Sequence, residues 1–138
     1  MKKILFILII GLTVFSVDQI NAQTASSALL PMYLQNNTSN GVCMDDWYIK
    51  DFNGNRITPW HSAGGPFCIG GNTITRYLGT YQLIVGEFYM LSFGCNNPYD
   101  SDTKYYTRAF IHKPNQQIDL IFERSGNVTI EFKNSELH

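Results

Sequence analysis

From Leu29 to the C-terminus, no stretch of eleven or more residues keeps its apolar side chains at the 3.6-residue period of a helix. Short β-branched and aromatic runs recur instead, separated by Gly, Asn, Pro and Ser. They fall at 30–35, 44–52, 55–60, 73–78, 81–85, 87–93, 105–112, 117–122 and 127–132. This spacing predicts a single all-β domain. The expected architecture is an antiparallel β-sandwich, immunoglobulin-like or jelly-roll-like, with a small β-barrel as the alternative. The run TYQLIVGEFYMLSF is too continuously apolar for a sheet with one wet face, so at least one strand is expected to be covered on both sides. Within it, Gly86 is read as a turn, a bulge or a close backbone approach.

The segment before these runs has a different character. MKKILFILIIGLTVFSVDQINAQ places two lysines before a 14-residue apolar run, 4–17, and then a short polar stretch ending at Ala22. That order predicts a secretory signal peptide over 1–22, cut after Ala22 or, failing that, after Ser27. The apolar run is shorter than the ~20 residues of a membrane-spanning helix. No cysteine lies near either cut to carry a lipid anchor. The remaining 23–138 is the size of one domain, and no transmembrane segment is expected in it. The expected location is secreted or periplasmic. Lys2, Lys3 and Asp18 leave with the leader, taking 10 cations and 11 anions to 8 and 10 and the net charge from −1 to −2. No basic field for a nucleic-acid backbone is present.

The stretch DFNGNR, 51–56, has two readings. Asp51, Asn53 and Asn55 alternate as in a calcium loop, while Asn53-Gly54 favours a two-residue hairpin turn. An EF-hand needs Gly at its sixth position and Glu at its twelfth, where this chain has Arg56 and Ser62. The hairpin is the stronger reading. Its register pairs Asp51 with Arg56, Ile49 with Thr58, and Trp47 with Trp60 on one face, and Tyr48 with Pro59 and Lys50 with Ile57 on the other. Pro59 marks an edge or a strand end.

An exported chain with Cys43, Cys68 and Cys95 is expected to form one disulfide and keep one thiol. The ladder brings Cys43 opposite Gly64, four residues from Cys68, so Cys43–Cys68 is the favoured pair and Cys68–Cys95 the alternative. The separations fit no zinc site.

Ligand-binding potential is concentrated in GCNNPYDSDTKYY, 94–106. Tyr99, Tyr105 and Tyr106 offer aromatic faces for a sugar, and Asp100 and Asp102, with Asn96 and Asn97, offer oxygens to a calcium ion. The competing reading is a solvated turn. In TPWHSAGGPF, Trp60 is a second stacking candidate, and His61 reads as a surface histidine. Catalysis has little support, since no nucleophile elbow, zinc helix or phosphate loop is present. Of His61, His112 and His138, only His112 suggests a dyad, with Cys95. Asn36, Asn37 and Asn127 head Asn-x-Ser/Thr triplets. The favoured function is a non-catalytic module recognising carbohydrate or an extracellular protein through loop aromatics. No cofactor is expected apart from a calcium ion at Asp100 and Asp102. A small Cys/His hydrolase and a membrane-active protein are the alternatives.

Overall fold

The computed structural model of the chain describes residues 24–62, 67–71, 74–96 and 102–134. The signal-peptide reading of 1–22, and the readings placed on Gly64, Asn97, Tyr99, Asp100 and His138, lie outside the described residues. The described residues form strands and no helix: β1 (Ser27–Asn36), β2 (Val42–Lys50), β3 (Arg56–Ile57), β4 (His61–Ser62), β5 (Phe67–Ile69), β6 (Ile74–Ile84), β7 (Phe88–Asn96), β8 (Thr103–Ile111), β9 (Gln116–Phe122) and β10 (Val128–Asn134). One sheet runs β10-β9-β1-β6-β4; the other runs β3-β2-β7-β8, with β5 also on β2. The two sheets pack as a sandwich, and no closed barrel forms among the described residues. All pairs are antiparallel except β1 with β9.

The core follows from strand alternation. Leu30, Met32 and Leu34 of β1, Leu83 of β6, and Ile118, Leu120 and Phe122 of β9 face inward from the first sheet. Met44 and Ile49 of β2, and Leu91 and Phe93 of β7, meet them from the second. The expected pair of strands at 73–78 and 81–85 is one strand, β6, with a bulge opposite Met32 and Tyr33 where Gly79 and Tyr77 become the partners. The strand covered on both faces is β9, where Asp119 and Ile121 are buried as well. The run 81–93 instead leaves Ile84, Phe88 and Met90 on solvent faces.

The hairpin at 51–56 forms, but in a different register. Gly54 N donates to Asp51 O at 3.0 Å, Asp51 N donates to Asn55 O at 3.0 Å, and Gly54 alone in the turn has positive φ, 83°. This is a three-residue loop closed by a left-handed glycine. The Asp51 carboxylate accepts from Asn55 N and Nδ2, at 2.9 and 3.0 Å, which draws Asn55 into the loop. Lys50 therefore pairs with Arg56 and Ile49 with Ile57, one residue out of the expected ladder.

The expected Trp47–Trp60 pair is consequently absent. After β3 the chain leaves the second sheet at Pro59, which has no N–H to give a ladder. Trp60 N then donates to Thr80 O of the first sheet at 2.7 Å, and β4 pairs with β6. Trp47 instead packs edge-on against Phe67 at 6.4 Å. Phe67 belongs to β5, an unanticipated strand that sets Cys43 directly opposite Cys68. The Cys43–Cys68 disulfide forms across that pair, and Cys95 is the free, buried thiol.

Two corners carry the chain between strands at one end. Gly86 occupies a turn with φ 87°, and Glu87 N donates to Ile84 O. Asn115, after Pro114, has φ 55° in the β8–β9 connection. His112 joins these corners: its N donates to Glu87 O, and its O accepts from Gly86 N.

Candidate functional site

The outward-facing side chains of β2, β7 and β8 build the most featured surface described. A bulge between Met44 and Asp46 adds a residue to β2 and re-aims the side chains from Asp46 onward. Asp46 thereby enters a row with Gly94 and Tyr105, and Tyr48 enters the next row with Ser92 and Thr107. Together with Arg56, these residues line a shallow depression of about 160 Å³.

Tyr105 is 79% exposed, and its ring lies across Gly94. A Cβ at position 94 would sit 2.9 Å from Tyr105 Cε1, so the missing side chain is what lets the ring lie close to the sheet. Beside it, the Arg56 guanidinium covers the Tyr48 ring at 3.9 Å, with Lys50 Nζ at 5.2 Å. Arg56 Nη2 also reaches Asp46 Oδ2 at 3.4 Å. Both members of that ion pair are more than half exposed, so its net contribution is within about 0 to 1 kcal/mol. Ser92 Oγ and Thr107 Oγ1, 3.3 Å apart, complete the floor.

Of the predicted stacking residues that are described, Tyr105, Tyr106 and Trp60 do not share one face, and Tyr99 lies outside the described residues. Tyr105 is on this face. Its neighbour Tyr106 points the other way, stacked on Phe93 at 5.1 Å and 12° and packed against the core. Trp60, 59% exposed, stands by the other sheet. Asp102 is exposed just before β8, and its proposed calcium partner Asp100 lies outside the described residues. No cluster of three or more His, Cys, Asp or Glu suited to a metal ion occurs among the described residues.

The Cys95–His112 dyad is overturned by geometry. Cys95 pairs with Lys104, eight residues along β8 from His112, a separation of about 26 Å at strand rise. The Cys95 thiol is pushed up to about 12 by burial, with Asp45 adding to the rise and Lys104 opposing it. A thiol so raised is a poor nucleophile. His112 is fully buried, with Nδ1 3.3 Å from Gln116 Oε1 and Nε2 3.2 Å from Ala28 O. It is a corner brace. Asn36 is likewise structural: its Nδ2 donates to Asn40 O and Gly70 O, and its Oδ1 accepts from Thr38 N and Oγ1.

The site residues that sequence reasoning missed are Asp46, Tyr48, Ser92, Arg56 and Thr107. Their only sequence signal is period-2 alternation, which does not say which strands are neighbours. No protein-family model, curated protein or solved structure matches the chain. No helix among the described residues is long and apolar enough to cross a membrane.

Proposed function

We propose that this protein is an exported, non-catalytic module that binds carbohydrate on the outer face of the β2-β7-β8 sheet, with Tyr105 as the stacking platform. The observation that carries this reading is an aromatic ring 79% exposed and laid along the sheet over Gly94. Around it, one carboxylate (Asp46), one guanidinium (Arg56) and two hydroxyls (Ser92, Thr107) line the same depression. A pyranose offers such a surface an apolar C–H face for the ring and hydroxyls for the polar rim. The site is shallow and open, which suits one or two sugar units of a longer chain. Export is supported by the Cys43–Cys68 disulfide, a bond that persists in oxidising compartments.

The test is a titration of neutral and acidic oligosaccharides, followed by amide and tyrosine-ring NMR shifts. Saturable shifts centred on Tyr105, Ser92 and Thr107, lost in Tyr105→Ala with the circular dichroism spectrum unchanged, are expected. Binding that survives Tyr105→Ala, or no shift with any oligosaccharide, refutes the reading.

A further inference from the structure

We propose that the sugar chain bound on this face is acidic, and that Lys50 and Arg56 together receive its anionic group, a carboxylate or a sulfate ester. This rests on the carbohydrate reading and adds the charge of the ligand to it. Lys50 and Arg56 are direct cross-strand partners on β2 and β3, in a ladder of two residue pairs. Like charges directly opposed destabilise a ladder. Both cations also converge on one ring, with the Arg56 guanidinium 3.9 Å and Lys50 Nζ 5.2 Å from the Tyr48 centroid. The π face offsets part of that repulsion without supplying a full negative charge.

The neighbouring carboxylates leave the excess in place. Asp46 reaches Arg56 Nη2 at 3.4 Å and accounts for one of the two cations. Asp51, next along the chain from Lys50, turns its carboxylate into the hairpin loop, where it accepts from Asn55 N and Nδ2. Lys50 joins no ion pair among the described residues. One positive charge is therefore left over at this corner. The chain as a whole is net negative, so an attraction for anions here is a property of this corner and not of the general surface. Stacking on Tyr48 uses the flat face of the guanidinium, and the 60% exposed side chain keeps in-plane N–H groups for a second partner. A planar fork of donors matches the oxygens of a carboxylate or a sulfate. Gly94, beneath the Tyr105 ring, and Tyr48, beneath the guanidinium, are diagonal neighbours across β7 and β2, about 7 to 8 Å apart. A sugar on the ring, with an acidic group on it or on the next unit, engages both features at once.

The test uses a uronic-acid tetrasaccharide, the same chain with its carboxyl groups reduced to alcohols, and a sulfated tetrasaccharide, each titrated into the purified protein by calorimetry. At low ionic strength an acidic chain should bind at least about tenfold more tightly than the reduced one. That margin should shrink at physiological ionic strength as salt screens the cations. The tighter of the two acidic chains identifies the anion. Lys50→Gln keeps most of the stem and removes the charge, and it should cut the margin at least about threefold, whereas Lys50→Arg should retain it. Equal binding of acidic and reduced chains overturns this inference and leaves the carbohydrate reading standing. So does a margin indifferent to Lys50→Gln. No binding by either acidic chain overturns it as well, and the neutral oligosaccharides then decide the carbohydrate reading separately.

Discussion

At the scale of single residues, two glycines and one buried thiol give the sharpest expectations. Gly94→Ala places a methyl group against Tyr105 and Thr103, so the ring must lift from the sheet. Sugar affinity should fall while stability changes by less than about 1 kcal/mol in urea unfolding, since Tyr105 is already exposed. Gly71 differs because a Cβ there would overlap the Ser39 backbone, which cannot swing aside as a side chain can. Gly71→Ala should destabilise the fold by about 1 to 3 kcal/mol in urea unfolding, through forced backbone movement. Cys95 makes stability depend on pH. Its unfolded pKa is near 8.5, and its folded pKa is raised to about 12. The folded state holds its proton between those values, so the contribution is complete below about pH 8.5 and is lost as pH rises toward about 12. The buried Tyr81 hydroxyl, also raised to about 12 by burial and by Asp46, acts in the same direction above about pH 10. Urea midpoints should fall from pH 8 to pH 10, with a shallower slope in Cys95→Ala; a flat wild-type profile would contradict this. Tyr105 was legible in the sequence as an aromatic in a polar stretch. The opposite orientation of Tyr106 follows once β8 is a strand, because adjacent side chains on a strand point to opposite faces.

At the scale of elements, the short strands depend on covalent and turn chemistry more than the long ones do. β5 has three residues, and its ladder with β2 spans only Val42, Cys43 and Met44. The Cys43–Cys68 bridge, closing a 25-residue separation, is therefore the main restraint on it. Reducing the bridge, or the double change Cys43→Ala and Cys68→Ala, should cost about 3 kcal/mol by loop-closure entropy, measured by chemical denaturation. Loss of protection from amide exchange should be concentrated in β5 and the adjoining end of β2. In the hairpin, hydrogen bonds from Asn55 hold the Asp51 carboxyl below its ordinary value. Acidification through that lowered value should loosen the turn, seen as faster exchange at Asn55. The Cys43–Cys68 pair was favoured from a ladder continued past Trp60, but that ladder stops at Ile57, and the separate strand β5 is what sets Cys43 opposite Cys68. The hairpin register was not legible, because the dipeptide Asn53-Gly54 serves two-residue and three-residue loops alike, and the Asp51 contact with Asn55 decides between them. The strand expected over 55–60 divides for a related reason: Pro59 ends one ladder, and Thr80 of the other sheet receives the chain.

At the scale of the whole molecule, the sandwich rests on partners far apart in sequence. β1 lies between β6 and β9, while β7 holds β2 and β8 together. Such topology requires distant segments to meet before most contacts form, so folding in the millisecond-to-second range is expected in stopped-flow experiments. Microsecond folding would show that local hairpins dominate. The all-β class and the approximate strand positions could be read from residue types and spacing, whereas the Cys43–Cys68 pair, favoured there through a ladder that does not form, is made by β5. Period-2 alternation, turn residues and chain length act locally, and they are written in the order of the residues. Sheet membership, the one-residue slip at Asn55, the separation of Trp47 from Trp60 and the assembly of Asp46, Tyr48, Arg56 and Tyr105 on one face emerged only in three dimensions. Each depends on which strands become neighbours, and that choice is made by burial and hydrogen bonding between segments that carry no mark of one another in the linear chain.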